Sequence, residues 1–180
     1  MRTNTPLGNN NEPASFPVPQ RERWQPLRSG FLNLYRYDSE EFHYENGRLL
    51  LRGNNGTGKS RVLALQLPFL FDGEVTSQRL EPDADSAKRM EWNLLMGRYP
   101  DRTGYTWIEF GRRDADGEEH YLTLGCGLSA VSDKSGVHRW FFITNRRIGK
   151  DLQLANEARQ VLGKDRLRER LGSDGQVFED

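Results

Sequence analysis

Apolar and polar positions divide the chain into stretches of different character. Up to about residue 22 nothing apolar recurs. Asn9, Asn10 and Asn11 stand among Pro6, Pro13, Pro17 and Pro19, which predicts a disordered tail over 1–22, dispensable for folding. Order is expected from near Trp24, with 23–180 forming one unit. Phe31–Tyr37 reads as a strand. Phe42–Tyr44 and Arg48–Arg52 read as two more, joined at Asn46-Gly47, a pair that tolerates the positive φ of a tight hairpin. Leu49-Leu50-Leu51 is a continuous apolar run, as expected of a buried strand. Ser60–Phe71 is apolar nearly all round and reads as a buried helix, disturbed near Pro68.

Residues 72–104 are polar and turn-rich, with a short helix expected over Ser86–Met96. From Tyr105 the period becomes two. Tyr105–Phe110, Glu119–Cys126 and Val137–Thr144 read as an antiparallel meander, divided at Asp116-Gly117 and over residues 133–136. The spacing of Leu154, Ala158, Val161 and Leu162 predicts a helix over 151–171.

Between the first strands and the apolar helix lies Gly53-Asn54-Asn55-Gly56-Thr57-Gly58-Lys59-Ser60. It matches G-x-x-x-x-G-K-[ST] in full. The glycines allow backbone angles at which loop amides turn inward and hold phosphate oxygens. Lys59 is expected to reach the β- and γ-phosphates of ATP, and the Ser60 hydroxyl to ligate Mg²⁺. A strand before and a helix after are the context this chemistry requires.

Composition adds little to that picture. Basic and acidic residues balance at 26 each, so net charge argues for no partner. The one cysteine, Cys126, rules out an internal disulfide and suits a reducing compartment. No apolar run approaches a membrane span and no signal-peptide core is evident, so a soluble cytoplasmic protein is expected.

The loop resembles the G-x-N-G-x-G-K-S of ABC-type heads in the SMC and MukB group. The wording of Asp72–Arg112 and of Trp140–Gly149 is similar to the large SMC-like ATPase of bacterial Wadjet-type plasmid-defence systems. The resemblance runs from about Trp24 onward. It implies an α/β fold: a P-loop NTPase, the N-terminal lobe of an ABC/SMC-type head, incomplete, with a mixed sheet around the P-loop helix and an antiparallel meander. It also implies that a coiled coil and a C-terminal half-head, bearing the signature, Walker B and catalytic Glu, lie outside this stretch. Two heads would sandwich ATP. The implied partners are DNA, kleisin-like and winged-helix subunits, and a toprim-type nuclease. Arg61, after the loop, would touch phosphate or DNA.

Other readings stand beside these. A self-contained small P-loop kinase or NTPase, or a non-catalytic nucleotide-binding remnant, would carry the same loop. Leu67–Asp72 imitates a Walker B run but is expected on a helix, and Leu171–Gln176 reads as a helix-ending turn rather than an ABC signature. Gly125–Ala130 fits a loose dinucleotide fingerprint but reads as a strand end and turn. His43, His120 and His138 lack metal spacing. Cys126 alternates with Leu122 and Leu124, as a core thiol would. By residue type alone, Arg61, Arg79, Lys88 and Arg89 read as solvated basic surface. So do Arg146, Arg147, Lys150, Arg166, Arg168 and Arg170.

Overall fold

A computed structural model describes residues 16–54, 58–74, 90–134 and 136–179, the side chains of 67–69 excepted. Its centre is one six-stranded sheet built from β1 (Gln25–Leu34), β2 (Tyr37–His43), β3 (Asp101–Arg113), β4 (Glu119–Val131), β5 (His138–Thr144) and β6 (Gly175–Glu179). The order is β2-β1-β3-β4-β5-β6 and every pairing is antiparallel. The fold is therefore α/β in content, but the expected mixed sheet is corrected to a purely antiparallel one. The meander is present; β5 matches its expected span closely, while β3 and β4 extend well beyond the expected Tyr105–Phe110 and Glu119–Cys126.

Period-two patterning gives the sheet two apolar faces. On one, Phe31, Cys126 and Leu128 meet the helices α1 (Lys59–Leu65), α2 (Leu67–Asp72) and α3 (Met90–Leu95). On the other, Tyr105, Trp107, Trp140 and Phe142 are covered by the chain from Ile148 to Leu171. Glycines make room for these rings. A Cβ at Gly127 would lie 2.2 Å from the Trp140 ring, and one at Gly125 2.2 Å from Phe142. Gly125–Ala130 is thus the middle of β4, not the strand end and turn expected of it.

Four local expectations change. The strand expected over Phe31–Tyr37 is β1, displaced toward the N-terminus and ending at Leu34; the chain turns at Tyr35 and returns as β2. Asn46 and Gly47 do take positive φ, 52° and 78°, but the tight turn joins only the bridge Glu45↔Arg48. Leu49–Leu51 forms no strand, and Leu50 is 70% exposed, so the buried-strand reading fails. The apolar helix is split at Gln66, whose backbone (φ −105°, ψ −108°) lies outside helical values.

Of the helix expected over 151–171, only α4 (Lys164–Leu171) forms. Leu152, Leu154 and Leu162 are buried, yet they sit on irregular chain crossing the sheet. Burial spaced like a helix is satisfied there by loops. Gly172–Asp174 then closes α4 in a single 3₁₀ turn, as a helix-ending turn should. Part of the helix expected over Ser86–Met96 lies outside the described residues, and the rest is α3.

Residues 16–22, expected as tail, are packed. The Phe16 ring lies 4.5 Å below the Arg28 guanidinium and 5.2 Å from that of Arg147. Arg147 donates to the Pro17 carbonyl at 2.6 Å, and the Arg113 amide donates to the Arg21 carbonyl at 2.7 Å. A chain starting at residue 24 should be less stable than one starting at residue 16 by about 2–4 kcal/mol. The loss combines a charge-assisted hydrogen bond with cation–π contact. Urea midpoints of the two chains measure it, and equal midpoints would restore the tail reading.

Candidate functional site

The glycine-rich loop sits where the chain leaves the Asn46-Gly47 turn and enters α1. β2 ends at His43 and residues 49–54 form no strand, so the expected strand-loop-helix context is met only on its helix side. Asn55, Gly56 and Thr57 lie outside the described residues. Gly53 and Gly58 bracket the loop with φ of 159° and 88°. Gly58 is left-handed at the helix N-cap, and its carbonyl accepts the first helical bond from the Val62 amide at 2.9 Å. A side chain there would be strained, and its Cβ would stand 3.1 Å from the Tyr37 hydroxyl.

The Lys59 ammonium turns back across this bracket. Its Nζ donates to the carbonyls of Gly53 at 2.7 Å and Asn54 at 2.8 Å. The first two residues of the loop are thereby tied to the first residue of α1, and both contacts are open to solvent. Ser60, next along, is exposed and presents its hydroxyl at the same end of α1.

Arg61 departs from the solvated-surface reading. It is buried, and its guanidinium lies 5.2 Å from the Tyr35 ring centre. Tyr35 takes φ of 55° and its amide donates to the Asn93 carbonyl at 2.6 Å. Arg102, also buried, donates to the Tyr35 carbonyl at 3.2 Å and to Asp38 at 3.3 Å. The β1–β2 turn is thus tied to α1, α3 and β3. Burial chiefly, with Tyr35 and Glu40 nearby, holds the Tyr37 hydroxyl above its ordinary pKa, so it stays a neutral donor beside Gly58. Tyr35, Tyr37 and Arg102 were not legible as site neighbours. Their only sequence signal is an aromatic-rich turn, and the pairing that brings it to the loop is long-range.

Among the remaining basic candidates, Arg147 and Arg146 are held by carboxylates, while Arg166, Arg168 and Lys150 are exposed as expected. Arg147 is buried on Glu109 at 2.7 Å, and Arg146 is held by Asp174 at 2.8 Å. Arg166 pairs with Glu169 and Arg168 with Asp165 along α4. Lys150 is exposed, and Arg79, Lys88 and Arg89 lie outside the described residues. Asp114, Glu118 and His120 converge at the β3–β4 turn. Asp114 already accepts from the amides of Asp116 and Glu118 and binds His120 at 2.7 Å. The His120 contact first, then those amides, lowers its pKa, which suits a turn lock. His43 and His138 stand near Glu41 and Glu179 at the two sheet edges. Cys126 is fully buried and its thiol is pushed up to about 12 by that burial, so it is inert core. Leu67–Asp72, the Walker B imitation, is helical, and Asp72 ends a helix rather than a strand.

No protein-family model matches the chain, and no curated protein matches it. None of the described helices is long and apolar enough to cross a membrane.

Proposed function

We propose that the chain binds ATP with Mg²⁺ at Gly53–Ser60, as the N-terminal half of a P-loop ATPase head of the SMC/MukB-like, Wadjet type. On this reading it acts on DNA only within a complete assembly. Its partners there are kleisin-like and winged-helix subunits, a toprim-type nuclease, and a second head across the nucleotide.

One observation supports the nucleotide part: within the full motif, the Lys59 ammonium is held by the carbonyls of Gly53 and Asn54 at the start of the loop. Two carbonyls are neutral acceptors. Triphosphate oxygens are charged acceptors and form the stronger bonds, so they would displace the carbonyls and take the ammonium. The Ser60 hydroxyl would hold Mg²⁺, a hard cation that prefers oxygen donors. The head assignment rests on the wording of Asp72–Arg112 and Trp140–Gly149, and on the antiparallel sheet, which a kinase of alternating helices and parallel strands would lack.

The test is titration with ATP of the native chain and of Ser60→Ala, each with Mg²⁺ and with EDTA. The variant should lose affinity with Mg²⁺, about tenfold for one charge-assisted contact, and little with EDTA. Equal losses in both conditions contradict the metal role, and no binding by the native chain sinks the proposal.

Hydrolysis is a separate expectation. The loop supplies a cradle, a cation and one metal ligand, but phosphoryl transfer to water also needs a group that positions the water. The chain alone should release phosphate no faster than its Lys59→Ala variant. Turnover that depends on Lys59 would favour a self-contained NTPase.

A further inference from the structure

The β1–β2 turn brings to the loop one polar group that the motif itself does not contain. Tyr37 is the first residue of β2 and pairs with Leu34 across the turn. Its ring stacks on Phe31, with centroids 5.3 Å apart and planes at 22°, and Phe31 is 1% exposed in the core. The Tyr35 ring lies 6.0 Å from it as well. The core and the turn, not the loop, therefore fix where the Tyr37 hydroxyl sits. It sits against the loop backbone: a Cβ at Gly58 would lie 3.1 Å from it. Among the described residues this hydroxyl makes no hydrogen bond. Burial first, then Tyr35 and Glu40, raise its pKa, so it carries its proton. A neutral O–H can donate to an anion, where a tyrosinate would repel one.

We propose that Tyr37 is a further triphosphate ligand, its hydroxyl donating to a phosphate oxygen held by the loop. The inference rests on the reading of Gly53–Ser60 as a phosphate loop. In such a loop the backbone amides face the anion, so a donor beside Gly58 joins the set to which Lys59 and Ser60, the next two residues, belong. The acceptor is charged, which makes the bond one of the stronger kind. The ring is engaged with Phe31 and Tyr35, so it does not stack on the base, and the contact ends at the phosphates. A hydroxyl that keeps its proton is a donor and not a general base. Tyr37 thus contributes affinity and orientation, and no step of hydrolysis runs through it.

The experiment titrates the full chain and its Tyr37→Phe variant with ATP and with inorganic tripolyphosphate, each in Mg²⁺ and in EDTA. Phenylalanine keeps the ring on Phe31 and removes only the hydroxyl, so urea midpoints without ligand should coincide. Affinity should fall roughly tenfold for both ligands and in both conditions, because the lost contact is to phosphate rather than to metal or nucleoside. Ser60→Ala differs, since its loss is confined to Mg²⁺. A Tyr37→Phe loss seen with ATP but not with tripolyphosphate places the hydroxyl on the nucleoside and overturns the proposal. A loss confined to Mg²⁺ does the same, as does a lowered urea midpoint, which would make the hydroxyl a structural group. Unchanged affinity, where the native chain binds both ligands, overturns the Tyr37 contact alone. A native chain that binds neither ligand removes the phosphate loop, and Tyr37 with it.

Discussion

Glu109→Ala is expected to cost about 3–5 kcal/mol of folding stability, because it leaves buried charge without its partner. Glu109 is fully buried between Arg28 and Arg147, themselves 1% and 2% exposed. Arg28 grips it with two nitrogens, at 3.1 and 2.8 Å, and Arg147 with one at 2.7 Å. The half-exposed Glu41, at 3.2 Å from Arg28, would be the only carboxylate left to two guanidiniums among these contacts. The same cluster ties distant parts of the chain together. Arg28 also donates to the Ile148 carbonyl, and Arg147 to that of Pro17. Losing Glu109 should therefore loosen both the N-terminal segment and the loop after β5. Urea denaturation gives the cost directly, and the melting temperature should fall on the order of 10 °C. A loss under 1 kcal/mol would mean that water reaches the cluster and that it is not a structural centre.

Lys59→Ala should weaken triphosphate binding by roughly tenfold to a hundredfold, the worth of one charged hydrogen-bonding contact. The fold should be unaffected, since the Lys59 ammonium holds the Gly53 and Asn54 carbonyls on an exposed loop and packs in neither core cluster. Calorimetric titration, with circular dichroism as control, decides. Unchanged affinity in a folded variant would remove the nucleotide proposal. Lys59→Arg is the finer test. A guanidinium keeps the charge but is planar and wider than an ammonium, so partial rescue is expected from charge and incomplete rescue from shape.

Several features were legible because they depend on neighbours in sequence. Alternation over Tyr105–Thr144 announced three antiparallel strands, since period two can bury one face only as a strand. Asn46-Gly47 announced a turn with positive φ. Cys126, alternating with leucines, announced a core thiol. The phosphate-loop wording is likewise local, and the three glycines with Lys59 and Ser60 are recognised without any knowledge of the sheet.

What failed did so where burial is decided from far away. Leu49–Leu51 has the composition of a core strand, yet it pairs with no strand among the described residues, and Leu50 is 70% exposed. Leu154, Val161 and Leu162 have helical spacing, but the irregular chain that carries them packs Leu154 and Val161 on the Tyr105 and Trp140 face of the sheet without forming a helix. Residue type made Arg61 and Arg147 surface candidates, yet both are buried, as are Arg28 and Arg102. An arginine goes inside only when carboxylates, carbonyls and aromatic rings arrive from other strands to receive it. Here they come from Glu109 on β3, Tyr35 in the β1–β2 turn, Asp38 on β2 and Phe16 at the N-terminal end. By itself the sequence determined the strand rhythm, the turns and the loop's chemistry, because each follows from residues a few positions apart. Tertiary structure alone decided the order of the strands, which charges went inside, and that Tyr37 stands beside Gly58, because those outcomes depend on pairing between residues far apart in the chain.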